Sequence, residues 1–183
     1  MASQLTPARL RRLYRNVLRF TGNPKWQAAL AAAHTAVRSQ DRLCSTFEVE
    51  ESASLVRVPD VSFAAGQASE WRKGRVAILF SPKLDCPAQV LKHTAEAKIP
   101  LVTVTLGSEP QASLDRLGIP TIVVEAVDAV ALYRVLQESL LHARLGAGPT
   151  VIVCQKTIRQ TATGHIEEYL RQKQLRRRIS SKA

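Results

Sequence analysis

Apolar residues recur along this chain with two different periods, and the change from one to the other marks its organisation. Leu10, Leu13, Tyr14, Val17 and Leu18 fall at helical spacing, with Arg12, Arg15 and Arg19 on the opposite side. Thr6 is placed to cap that helix and Pro7 to occupy its first turn. Gly22-Asn23-Pro24 breaks the pattern, and a second helix is expected over 24–38, with an alanine-rich run at 28–33 suited to close packing. Residues 1–40 thus read as a helical arm. Residues 39–60 show no regular period, carry Glu48, Glu50 and Glu51, and end at Pro59.

From Val61 onward, helical stretches alternate with short apolar runs. Residues 61–71 predict a helix of small side chains (Ala64, Ala65, Gly66, Ala68), 75–80 a strand, 87–97 a helix, and 100–106 a second strand. A short turn or helix at 114–117 leads to a third strand at 121–124. A long helix at 128–145, capped by Asp128 and stopped by Gly146-Ala147-Gly148-Pro149, leads to a fourth at 150–154. A last amphipathic helix is expected over 164–175, with a loose tail after Arg176. The strand runs are continuously apolar, the pattern of strands buried on both faces. The expected fold is a single α/β domain over 1–183: a doubly wound, mostly parallel sheet of four or five strands at 55–157, with the helical arm in front and the C-terminal helix and basic tail, 164–183, behind.

Charge changes this picture at the ends only. The net charge is +11. Arg9, Arg11, Arg12, Arg15, Arg19 and Lys25 meet no acidic residue in 1–25. Lys156, Arg159, Arg171, Lys173, Arg176, Arg177, Arg178 and Lys182 meet only Glu167 and Glu168 in the last stretch. Such termini attract an anionic partner. With no zinc-finger spacing, no aromatic RNA-binding strand and 5% aromatic residues, nucleic acid is not the expected one. No apolar run approaches the roughly 18 residues of a membrane span, and no signal-peptide pattern is present, so the expected location is the cytoplasm with reduced thiols.

Chemistry in a parallel sheet belongs at the carboxyl ends of its strands. The candidates there are Ser81, Lys83 and Asp85 after the first run, and Gly107, Ser108 and Glu109 after the second. Lys83 with Ser81 beside a helix start suits an anion, although no glycine-rich phosphate loop and no nucleophile-elbow sequence occurs. His34, His93, His142 and His165 lack partners at metal-ligand spacing, and Cys44, Cys86 and Cys154 offer no paired spacing. Cys86 lies near a helix start, which lowers a thiol pKa, but the adjacent Asp85 opposes that and no histidine neighbours it. No catalytic or metal constellation is assembled.

One stretch is more specific. Residues 127–153 (VDAVALYRVLQESLLHARLGAGPTVIV) resemble the E1 alpha subunits of thiamine diphosphate-dependent 2-oxo acid dehydrogenases through Asp128, Tyr133, Ala143-Arg144 and Gly148-Pro149-Thr150. Weaker similarities lie at 64–68, 98–102, 165–175 and 10–19. The resemblance implies a thiamine diphosphate-binding-like sheet, obligate oligomers and a site completed by a beta-type chain. It also implies a Gly-Asp-Gly turn after the first motif strand and asparagines after the next, which hold diphosphate and Mg²⁺. Here Ser81-Pro82-Lys83 and Gly107-Ser108 stand at those places, and the family's histidine loop after the last strand is unmatched. The leading expectation is therefore a shortened, non-catalytic, degenerate member that needs no cofactor and keeps its oligomer interfaces, as a homo-oligomer or with a beta-type subunit. Two others stay open: a dehydrogenase subunit using thiamine diphosphate and Mg²⁺ held mainly by a beta-type chain, and a module that binds an anionic partner through Lys83 or the basic termini.

Overall fold

Among the described residues six strands, all parallel, form one sheet in the order β2-β1-β3-β4-β6-β5. The computed structural model describes residues 5–70, 74–107, 111–155 and 160–180, with backbone only at 111–113 and 175–180. Along the chain run α1 (Pro7–Arg19), α2 (Gln27–Ala36), β1 (Arg42–Ser45), β2 (Leu55–Arg57), α3 (Val61–Ser69), β3 (Ala77–Ser81), α4 (Ala88–Glu96), β4 (Leu101–Leu106), α5 (Gln111–Arg116), β5 (Thr121–Glu125), α6 (Ala129–Arg144), β6 (Thr150–Gln155) and α7 (Ala162–Ser180).

The four expected strands are β3 to β6. The sheet exceeds the expected four or five strands because β1 and β2 lie inside the stretch read as irregular. Four and three residues long, and exposed at Arg42, Val56 and Arg57, they are too short and too polar to set a period. The tail is not loose where expected, since α7 continues to Ser180. The second helix is shorter than expected, spanning Gln27–Ala36.

Period-two alternation divides the sheet between two helical layers. Leu43, Ile78, Phe80, Val102, Val104, Ile152 and Cys154 face one core with Leu13 and Val17 of α1, Leu30 of α2, Leu136 of α6 and Ile166 of α7. On the other face, Cys44, Ala77, Leu79 and Leu101 meet α3, while Val151 and Val153 meet Leu114 of α5 and half-buried Leu91 and Ala95 of α4. Helices on both faces explain why β3 is buried at every residue.

The two N-terminal helices do not project from the domain. All ten residues of α2 are buried, and α1 buries Leu10, Leu13 and Val17 in the same core. Thr6 caps α1 as expected, accepting the Arg9 N–H at 3.3 Å. A helix with no exposed face must satisfy its polar side chains internally. Gln27 donates to the Val17 carbonyl at 2.8 Å and to Thr163 at 3.2 Å. Thr35 donates to the Ala31 carbonyl at 2.7 Å and accepts from Asn16 at 2.9 Å.

At the amino edge of the sheet, Asp41 pairs with Arg144 at the end of α6; the Asp41 side chain has no exposed surface. Its carboxylate also accepts the Arg38 N–H at 2.8 Å and the Val76 N–H at 3.3 Å, fixing the entries to β1 and β3. Removing one partner of such a pair strands the other charge in the interior. Asp41→Asn is expected to cost about 3–5 kcal/mol in urea unfolding, and the double variant Asp41→Asn/Arg144→Met to recover most of that. Equal losses in the single and double variants would mean that the pair is not what Asp41 contributes.

Candidate functional site

Because all strands run the same way, their carboxyl ends share one edge. The chain leaves β1 outward to the edge strand β2 but leaves β3 in the other direction through α4 to β4. Such a reversal opens a crevice in doubly wound sheets, and here described residues bond to one another across its floor. The buried Ser81 hydroxyl donates to the Lys83 carbonyl at 2.7 Å and lies 3.2 Å from the Thr46 hydroxyl, while Thr105 donates to the Pro82 carbonyl at 3.4 Å. Beside the end of β3, Trp26 stacks on Phe47, with ring centroids 4.9 Å apart, and meets Phe80 edge-on at 5.9 Å. The Ser45 hydroxyl donates to the Phe47 carbonyl and fixes that loop. Lys83 and Asp85 are exposed. Ser108 and Glu109 lie outside the described residues.

An open cavity of about 430 Å³ lies further along the same edge, at the ends of β4 and β6. Leu106, Gly107, Val127 and Cys154 give it a largely apolar lining, with Lys25 and Gln160 adding polar groups. Gly107 makes the turn possible: its φ is +96°, its N–H donates to the Cys154 carbonyl at 3.1 Å, and among the described residues nothing lies within 4 Å of where a Cβ would sit. Of the described sequence candidates, Gly107 borders this cavity and Ser81, Lys83 and Asp85 do not. Lys25 was not legible as a site residue, because nothing in its neighbourhood marks the α1–α2 turn as the cavity's rim.

The histidines divide by environment. His93 and His142 are exposed. His34 is buried, its ring centroid 4.9 Å from that of Phe20 and its Nε2 3.0 Å from the Ser52 hydroxyl. Burial, reinforced by the positive charges of Arg19 and Arg12, lowers its pKa to about 4. This serine–histidine pair sits within the core, with guanidinium groups rather than a carboxylate around the ring. His165, at the start of α7, places Nδ1 3.8 Å from Asp128 Oδ1, too far for a hydrogen bond. Asp128 Oδ1 is already occupied as the cap of α6, accepting the Val130 and Ala131 N–H groups at 3.0 and 2.8 Å. This approach depends on α7 folding back beside α6, which no local pattern signals.

At Cys86, just before α4, the opposing influences prevail over the helix start. Burial, Asp60 and Asp85 push its pKa up to about 11, and burial alone pushes that of Cys154 to about 12. Among the described residues, no group of three His, Cys, Asp or Glu side chains is placed to hold a metal ion. No helix among them is long and apolar enough to cross a membrane.

Neither known protein families nor curated proteins match this chain.

His34 and Cys86 each yield a measurement. Unfolded His34 takes up a proton near pH 6.5 and folded His34 only near pH 4, so stability is full above about pH 6.5 and falls as pH drops toward 4. The expected slope is on the order of 1 kcal/mol per pH unit in that window, flattened by His34→Gln. An unchanged slope in that variant would assign the acid sensitivity to other groups. At pH 8, Cys86 is expected to react with a maleimide about 100-fold more slowly than a free cysteine, because its thiolate fraction is smaller by about that factor. Labelling at the free-thiol rate would contradict the burial of Cys86.

Proposed function

We propose that this chain is a degenerate, non-catalytic relative of the E1 alpha subunits of thiamine diphosphate-dependent 2-oxo acid dehydrogenases. In this reading it keeps the scaffold and works by associating with like or beta-type subunits. The observation that carries the proposal is the closed turn Ser81-Pro82-Lys83. The resembled family has its Gly-Asp-Gly there, and this chain has its own hydrogen bonds.

The donor set supports the same conclusion. Magnesium takes hard oxygen ligands in near-octahedral geometry. The Pro82 and Lys83 carbonyls each already accept a hydroxyl, the Lys83 ammonium repels a cation, and the nearest carboxylate along the turn, Asp85, is exposed. These residues do not fit a diphosphate–magnesium site.

The residues that carry the resemblance have work of another kind. Asp128 caps α6, Tyr133 is fully buried in the core, and Arg144 holds Asp41. Gly148, at φ +105°, lies where an added Cβ would sit 3.5 Å from the Lys98 Cα. All four serve the scaffold, which accounts for their presence in a chain without the ligand residues. The all-parallel sheet covered on both faces is compatible with this ancestry.

Isothermal titration of the purified protein with thiamine diphosphate and Mg²⁺ is expected to give no binding heat, alone or mixed with a beta-type chain. Saturable, Mg²⁺-dependent binding to the protein alone would overturn the proposal. Binding only in the mixture would favour a dehydrogenase subunit completed by its partner.

A further inference from the structure

Helix α1 carries Arg9, Arg11, Arg12, Arg15 and Arg19, all exposed, and no acidic residue. Arg11 with Arg15, and Arg15 with Arg19, are like charges one turn apart, an arrangement that costs a helix stability. Arg12 is engaged with the His34 carbonyl at 3.0 Å. Arg11, Arg15 and Arg19 form no ion pair among the described residues. Helix α7 lies alongside, joined where the Tyr14 hydroxyl donates to Glu167 at 2.9 Å, and its other carboxylate, Glu168, is taken by Arg171.

Between the two helices runs a groove of about 210 Å³ with Pro7, Leu10 and Leu170 as its apolar part and Arg11, Lys173 and Gln174 around them. Its volume is below the roughly 300–1,000 Å³ of small-molecule sites, and suits side chains presented by a docked segment. An apolar floor with a cationic rim is complementary to an apolar stripe flanked by carboxylates.

We infer that the α1–α7 groove docks an acidic amphipathic helix of a partner protein, its apolar stripe on Pro7, Leu10 and Leu170 and its carboxylates on Arg11, Arg15 and Lys173. A nucleic-acid backbone would match the rim but leave the apolar floor uncovered. Nor do the described residues offer a stacking platform there: Tyr14 is tied to Glu167, and Tyr169 lies under the Lys173 ammonium, 5.9 Å from the ring centroid.

The test is fluorescence anisotropy of the full chain with three labelled probes. One is a synthetic helix with leucines at i, i+3, i+4 and i+7 and glutamates elsewhere, one is polyglutamate of equal charge, and one is duplex DNA. The amphipathic helix is expected to bind about tenfold or more tightly than polyglutamate or DNA. Arg11→Glu/Lys173→Glu is expected to weaken it at least about tenfold, while Lys92→Glu, on the opposite face, leaves it unchanged. Circular dichroism confirms that both variants fold. The inference fails if the amphipathic helix does not bind, if polyglutamate or DNA binds as tightly, or if the charge reversal in the groove has no effect.

Discussion

A helix buried on every side governs this structure. Within α2, Ala28, Ala29, Ala31, Ala32 and Ala33 expose almost nothing, and Leu30 is fully enclosed. Alanine contributes little apolar area per residue, so the gain comes from how closely α1 and α6 approach a helix without bulk. That closeness leaves no room for solvent at the polar positions. Gln27, His34 and Thr35 therefore bond to neighbours, and these bonds in turn fix α1 and the loop bearing Ser52.

Seating α2 this way also decides what happens at the carboxyl edge. The turn into α2 passes through Gly22, where a Cβ would meet Glu51 Oε1 at 2.1 Å, and Asn23 donates to the same carboxylate at 2.6 Å. The β1–β2 loop is thereby drawn over the end of β3, with Phe47 against Trp26 and Thr46 beside Ser81. Closure between β1 and β3 and the open cavity beside β4 and β6 are two consequences of one packing arrangement. A ligand group entering at Ser81 would have to displace bonds that the chain makes with itself. One at Gly107 would meet an apolar surface with Lys25 at its rim.

Strong periodicity made much of this fold legible. Helix α6, with Asp128 as its cap and glycines past its end, matches its expected bounds to within a residue or so, and the apolar runs of β3, β4 and β6 declared a parallel sheet. Strands β1 and β2 were not legible, since four residues including an arginine and three at an edge carry no period. The site was less legible than the fold. Ser81 was placed correctly at a strand end, but its burial depends on Thr46 and Thr105, which are 35 and 24 positions away. Asp41 and Arg144 are 103 residues apart and meet only because β1 joins the sheet. Lys25 at the cavity rim and the approach of His165 to Asp128 belong to the same class, placements made by topology and invisible to local pattern.

Native-state hydrogen exchange, read across α2 and the turn after β3 with and without thiamine diphosphate and Mg²⁺, tests the central claim most directly. Amides of α2 are expected to exchange only through global unfolding, and added cofactor is expected to leave residues 81–85 unchanged. Exchange of α2 through a local opening well below the global stability, or cofactor-dependent slowing at 81–85, would contradict a core built around α2 and a carboxyl edge closed by its own side chains.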